Sequence, residues 1–286
     1  MELDANAPLS ILYRGPLSSC NYDCHYCPFA KTHNTAAELR HDRNCLTRFV
    51  DWSKSTEFPL RILFTPWGEA LVRRWYQTAM VQLSHLPLVQ RVAIQTNLSC
   101  KLDWLADADL SALALWCTFH PSQTELGAFI NQCQQLDDLR VRHSVGVVGL
   151  KEDFDRIASL RSALRSTTYL WINAFKRVPG YYSASDIEFL QSIDPLFSIN
   201  NTRHPSEHRS CHAGHQSISV DGNGDVRRCH FIDQVIGNIY ETDFVQCLRP
   251  RLCSNETCGC YIGYVNLEHL QLDRVYGDGL LERIPM

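Results

Sequence analysis

The 286-residue chain contains no uninterrupted apolar stretch near the roughly 18 residues that a membrane-spanning helix needs. Its opening, Met1-Glu-Leu-Asp-Ala-Asn6, is acidic and lacks the apolar core of an export signal. Also missing is any polybasic stripe. Lys and Arg total 27 against 31 Asp and Glu, for a net charge of −4 and a pI near 6.3, which offers nucleic acid or anionic lipid no partner surface. No Walker loop, G-x-S-x-G elbow or Rossmann G-x-G-x-x-G stands at a strand–helix junction. Internal repeats and low-complexity tracts are absent too. Together these absences predict a soluble cytoplasmic protein with neither a membrane nor a nucleic-acid partner.

What is present begins with enough apolar residues for a sizeable core, 45% hydrophobic and 10% aromatic. The length suits one large domain, or one with a small appendage. Short apolar runs recur at Leu9–Tyr13, Leu60–Thr65, Val89–Thr96, Leu113–Phe119, Val141–Val148 and Thr168–Ala174. They are continuous rather than alternating, as in strands covered on both faces. Between them lie helix-period segments: Glu69 to Leu86, a stretch through Phe129, Cys133 and Leu136, and Phe154 to Leu164. Ser122-Gln-Thr-Glu125 reads as a capping box for the second. The alternation predicts an α/β fold with parallel strands and right-handed crossovers, six strands being too few for an eight-stranded barrel. Val178-Pro-Gly-Tyr-Tyr182 breaks the pattern, and a short helix is expected from Ser185 to Ile193, capped by Ser185 or Asp186. Gln216–Val220 and Val226–Phe231 flank a glycine-rich turn and read as a hairpin. The expected organisation is a core over 1–180, a linker with a short helix over 181–208, and a small α+β domain over 209–286.

Thirteen cysteines are many for a chain without an export signal, and their grouping points to metal rather than disulfides. Cys117 and Cys133 sit in apolar periodic runs and read as buried thiols. Cys20, Cys24 and Cys27, spaced C-x3-C-x2-C after the first strand, let one loop aim three thiolates at a common centre. Three ligands leave a four-iron cluster with one open iron, the mark of a catalytic rather than a structural site. The competing readings are a chance cluster of buried thiols and half of a zinc site.

This motif, with Tyr26 just before its last cysteine, resembles the radical SAM superfamily. The resemblance implies a partial, open (βα)6 barrel and a [4Fe-4S] cluster whose unique iron chelates S-adenosylmethionine (AdoMet). Thr65-Pro-Trp-Gly68-Glu69-Ala70 resembles the family's Gly-Gly-Glu-Pro motif, with Trp67 and Ala70 as departures. It implies that Gly68 and Glu69 hold the methionyl amino group; the alternative is a capping acid at a helix N-terminus. Thr96 and Asn97, ending the third strand, resemble a Thr-Asn pair near the AdoMet ribose or the substrate; both are also ordinary turn formers. His120 and Asn173 would face the open end of the barrel, where parallel α/β folds place ligands, and are the candidate catalytic residues. His120 reads equally as a structural histidine. Gly146 and Gly149 either admit the adenine or relieve packing.

Cys211, a hairpin, Cys229, and then Cys253-x4-Cys258-x-Cys260 resemble the SPASM/twitch extension. That resemblance implies a second [4Fe-4S] cluster on Cys211, Cys229, Cys258 and Cys260, with Cys253 as the alternate. Zinc competes here through His204, His208, Cys211, His212 and His215, although they do not separate into ligand pairs. The Asp221–Asp225 string is not a calcium loop, since Val226 and Ile232 stand where glycine and glutamate belong. The expected function is reductive cleavage of AdoMet and hydrogen abstraction from a small-molecule or peptide substrate. The second cluster would carry electrons, for a net oxidation or bond formation, and a flavodoxin- or ferredoxin-type donor would supply the first electron. A first strand near residue 9 leaves no separate peptide-recognition domain ahead of it, which tilts the expectation towards a small molecule or a peptide delivered by a partner. The alternative is a non-catalytic iron–sulfur or zinc-binding regulator or sensor.

Overall fold

A computed structural model describes residues 7–29 and 31–286; the acidic opening, Met1–Asn6, lies outside the described residues. Six parallel strands lie side by side in chain order: β1 Leu9–Arg14, β2 Leu60–Phe64, β3 Val89–Thr96, β4 Leu113–Phe119, β5 Arg142–Val148 and β6 Leu170–Asn173. This is the expected α/β partial barrel, with strand limits within two residues of those read from the apolar runs. Both faces are covered, which is why the runs are continuous. Leu9, Ile11 and Tyr13 point to the helical layer, whereas Leu12, Leu63, Ala93, Ala114, Trp116 and Trp171 form the inner wall.

The connections depart from the expectation in four places. Helix α1, Ala36–Lys54, starts from a capping box in which Thr35 and Glu38 satisfy each other's backbone N–H. Helix α2 is Arg74–Ser84, so Glu69 lies in a turn ahead of it rather than at its N-terminus. Between β3 and β4 the chain makes only a 3-10 turn, Asp103–Asp107, so the βα repeat is incomplete there. Helix α3, Leu126–Asp138, has no side-chain cap. The box predicted at Ser122 does not form, because the His120 carbonyl accepts from Gln123 N and Thr124 N and turns that segment aside. Helix α4 is Phe154–Ala163, as expected. Helix α5, Ala184–Ile193, begins one residue early and is capped by Ser183, with Asp186 as the reciprocal partner.

After α6, Phe197–Asn201, the chain forms β7 (His204–Pro205), β8 (Ser217–Asp221), β9 (Asp225–Arg227), β10 (Val235–Asn238) and β11 (Thr257–Cys258). The predicted hairpin is β8–β9, yet β8 lies parallel against β1, so β8, β9 and β10 extend the main sheet to nine strands. In its turn, Asp221 accepts from Asn223 N, Asp225 N and Arg227, leaving both carboxylate oxygens occupied within the hairpin. A separate ribbon pairs β11 with β7.

The last segment packs against the inner wall of the sheet. The Tyr261 ring meets Trp116 at 5.3 Å, and Ser144 Oγ donates to the Glu282 carbonyl at 2.6 Å. Glu282, fully buried, pairs with Arg142 and with Arg91 at 3.6 Å. Trp116 and Trp171, two strands apart, touch edge to face at 5.2 Å, so the inner wall is filled with aromatic rings. Gly146 lies between them in the sheet, and a Cβ there would overlap the Trp171 indole. Packing against the indole therefore already requires glycine at this position. No helix among the described residues is long and apolar enough to cross a membrane.

Two glycine substitutions separate packing from propensity. Gly146→Ala overpacks the inner wall and should cost about 1–3 kcal/mol. Gly127→Ala, in α3 with nothing near its added Cβ, should gain up to about 1 kcal/mol. Urea unfolding of the two variants checks both signs.

Candidate active site

The C-terminal ends of β1 to β4 carry the site. Beyond β1 the chain is held down before it reaches the first cysteine. Asp42 of α1 is buried and accepts from Leu17 N (3.2 Å), Tyr76 OH (2.9 Å) and Trp75 Nε1 (2.8 Å). Asn34 Oδ1 takes Ser18 N at 2.9 Å, and the Ser19 carbonyl accepts from Glu69 N at 3.2 Å. A Cβ on Gly68 would overlap that same Ser19 carbonyl, so only glycine lets the two turns lie against each other.

Glu69 is 2% exposed. Its carboxylate accepts from Leu71 N (2.9 Å), Thr96 Oγ1 (2.9 Å) and Asn97 N (2.6 Å). Burial pushes its pKa up to about 7 against the pull of those three donors. Asn97 Nδ2 in turn donates to Asn21 Oδ1 at 3.0 Å, so the β3 end is bonded to the cysteine loop. Gly68, Glu69, Thr96 and Asn97 thus meet at one place.

Cys20, Cys24 and Cys27 line one open cleft with Trp67, Gly68, Glu69, Thr96, Asn97 and His120. Burial raises the Cys24 thiol to about 11 and also raises Cys20; Cys24 is raised further by Cys27 and Cys20, and Cys20 by Cys27. Tyr26 OH stands 2.7 Å from His120 Nδ1, and Cys24 Sγ lies 3.3 Å from the same nitrogen. Burial holds His120 down to about 4, so it is neutral at pH 7. Phe29 and Trp67 touch at 4.4 Å at the rim.

Among the described residues no three His, Cys, Asp or Glu side chains close round a single ion. Thiolates of a four-iron cubane each hold a different iron, so they stand farther apart than ligands sharing one metal. Three mutually interacting thiols on the wall of one cleft fit such a cluster. A zinc site built from the histidines does not fit, because it needs its donors round one ion. His208 is exposed, and His204 Nε2 is engaged with the Ile199 carbonyl at 2.9 Å.

At the other end, Cys211, Cys229, Cys253 and Cys258 lie close enough that Cys253 raises the pKa of each of the other three, and Cys229 raises that of Cys258. Cys260 is near Cys258, but its own surroundings are Lys176, Arg283 and Arg14. Asn173 ends β6 with its side chain exposed and is not part of the cleft wall. Asp42, Gln123 and Lys31 were not singled out from sequence. Gln123 Oε1 accepts from Asp23 N at 2.9 Å, and Lys31 Nζ donates to the Cys24 carbonyl at 2.8 Å. Asp42 had a signal, an acid on the stripe shared by Cys45, Leu46 and Phe49 of α1.

Glu69 sets a pH dependence. Its folded pKa of about 7 exceeds the ordinary 4.5, so between those values the folded chain holds more protons than the unfolded one. Stability should therefore fall as pH rises through that window, and Glu69→Gln should flatten the fall. Urea midpoints at pH 5 and pH 8 read it; equal slopes in both proteins would contradict the assignment.

No family model matches the chain, and no curated protein sequence matches it. Solved structures do match in fold. Native anSMEcpe with bound AdoMet and Kp18Cys peptide is 12% identical, with 84% of this chain and 80% of that one covered at a TM-score of 0.57. Native anSMEcpe with bound AdoMet and Cp18Cys peptide is 14% identical, with coverage of 84% and 82% at 0.53. BtrN in complex with AdoMet and 2-DOIA is 16% identical over 85% and 88%, at 0.42, and no weight rests on it. The structural neighbours are radical SAM enzymes, and their fold is the fold of this chain.

Proposed function

We propose that this chain is a radical SAM enzyme, with a [4Fe-4S] cluster on Cys20, Cys24 and Cys27 and AdoMet beside it. The observation that carries the reading is one cleft lined both by these three thiols and by the Gly68–Glu69 turn. When bound, the cluster and AdoMet supply one-electron cleavage of the sulfonium and hydrogen-atom abstraction from a substrate. Glu69, fixed by three donors, offers its remaining acceptor capacity to the methionyl amino group, and the Gly68 turn gives that group room. Thr96 and Asn97 hold Glu69 in place. His120 acts as a positioning residue, because it is buried, neutral and bonded to Tyr26 of the cysteine loop. Phe29 and Trp67, both exposed, give the rim an apolar face.

Cys211, Cys229, Cys253 and Cys258 are proposed as the ligands of the second cluster. Mutual proximity favours Cys253 over Cys260, the reverse of the preference drawn from spacing. Four protein thiolates close a cluster and suit it to electron transfer. The division into a core over 1–180, a linker over 181–208 and a cluster region over 209–286 belongs to this proposal, as do a flavodoxin- or ferredoxin-type donor and a cytoplasmic setting. The substrate is a small molecule or a peptide; the peptide in the anSMEcpe structures supports the second.

Anaerobic reconstitution tests the reading. About eight irons per chain are expected, and about four after Cys229→Ala. Reduction with AdoMet should yield 5′-deoxyadenosine in the native chain and none after Cys24→Ala. Glu69→Gln should weaken AdoMet about tenfold or more through loss of a charged hydrogen-bond acceptor. Bound zinc with no AdoMet affinity would favour a regulator instead.

A further inference from the structure

Two groups converge on the His120 Nδ1 atom, and one of them is a cysteine of the loop. Cys24 Sγ lies 3.3 Å from Nδ1, and Tyr26 OH lies 2.7 Å from it. The imidazole is held in that orientation from several sides. Its backbone carbonyl accepts from Gln123 N and Thr124 N just past β4. Tyr26 stacks on the ring at 6.0 Å, and Tyr22 meets it edge-on at 5.8 Å. Gln123 accepts from Asp23 N at 2.9 Å and donates to the Asp23 carbonyl at 3.3 Å, which ties the cysteine loop to the end of β4.

The hydrogens decide what this contact becomes. A cysteine that ligates iron is a thiolate, which has no hydrogen and can only accept. The hydrogen between Sγ and Nδ1 must then sit on nitrogen. A neutral imidazole carries one N–H, and His120 is neutral at pH 7, so ligation selects the Nδ1–H tautomer. Tyr26 OH accepts from that N–H through a lone pair, which frees its own hydrogen for Cys24. A hydrogen bond from Tyr26 does pull the Cys24 thiol down against burial. Cys24 is 4% exposed, so these donors have little competition from water. The other two sulfurs are placed differently. Cys20 Sγ takes the Tyr22 N–H at 3.4 Å and the Asn97 amide only at 3.9 Å, and Cys27 Sγ lies 3.5 Å from the Phe29 carbonyl, which offers a thiolate no hydrogen. Hydrogen bonds to ligating sulfurs help set a cluster's potential, because they favour the more negative, reduced state.

We propose that His120 donates its Nδ1–H to the Cys24 thiolate of the bound cluster and, with the Tyr26 hydroxyl on the same sulfur, raises the reduction potential of that cluster. The proposal rests on the radical SAM reading for the cluster on Cys20, Cys24 and Cys27, and on neither AdoMet nor the second cluster.

The test uses the anaerobically reconstituted full chain and a redox titration followed by electron paramagnetic resonance, without AdoMet. The signal scored is the one that Cys20→Ala abolishes. His120→Phe keeps a ring and removes the N–H, and should make reduction of that cluster about tenfold less favourable, a fall of about 59 mV for one electron. His120→Asn, whose amide can stand where Nδ1 stood, should restore most of the shift. Tyr26→Phe should move the potential in the same direction as His120→Phe. A second measurement needs no substitution and stands even where His120→Phe takes up no iron. In native protein whose histidines carry the heavy nitrogen isotope, the same signal should show a nitrogen hyperfine coupling, and His120→Asn should lack it. An unshifted potential in His120→Phe, a shift that His120→Asn does not reverse, or no nitrogen coupling in native protein overturns the proposal. If Cys20→Ala changes neither the iron content nor any signal, the cluster reading fails and the proposal falls with it. A signal that depends on Cys20 but lacks the coupling overturns the hydrogen bond alone.

Discussion

A backbone contact between two turns organises the site. The Ser19 carbonyl lies against Gly68 so closely that a Cβ could not be inserted, and it accepts the Glu69 N–H. The turn that follows β2 is thereby bonded to the loop that follows β1, one residue before Cys20. Glu69 extends the connection to β3 through Thr96 and Asn97. A buried carboxylate is expensive unless its lone pairs are satisfied. Here three donors from two segments satisfy it, so the same bonds that make its burial tolerable also align the ends of three strands. Burial still outweighs those bonds, which is why its proton is held to a higher pH than an ordinary carboxyl holds it.

The inner wall of the sheet follows a second constraint. Six parallel strands present an inward face that must be covered, and helices cover only the outer one. Small residues on that face, Ala93, Ala114 and Gly146, leave room that Trp116 and Trp171 occupy, and the segment from Tyr261 to Arg283 packs on the rings. Glu282 and Arg283 are buried consecutively with opposite partners, arginines on one side and aromatic faces on the other. The end of the chain is thus part of the barrel's packing.

These two constraints explain what the sequence could and could not disclose. Strands buried on both faces announce themselves as continuous apolar runs, and all six were legible. The three-cysteine loop and Gly68-Glu69 were legible because each is a local pattern. Caps were less so: Ser122 has the chemistry of a cap, yet the His120 carbonyl captures the amide groups that a helix start would use. The pairing of β8 with β1 spans some two hundred residues and leaves no local mark. Spacing put Cys260 ahead of Cys253; what surrounds each, thiols for Cys253 and cations for Cys260, is set by the fold and leaves no mark in the spacing.

The pairing of β8 with β1 has a further consequence. The hairpin between Cys211 and Cys229 is hydrogen-bonded through β8 to β1, and the far end of β1 starts the Cys20 loop. His230, adjacent to Cys229, bonds Ser219 of β8 through Nδ1 and Thr65 through Nε2 at 2.8 Å. Thr65 opens the same turn that carries Gly68 and Glu69. Burial keeps His230 neutral, so this link does not come and go with protonation near pH 7. The two cysteine groups, far apart in the chain, are therefore held in one frame by a sheet ladder and a buried imidazole. Their separation is set by bonded structure, which is the condition that electron exchange across a fixed gap would require.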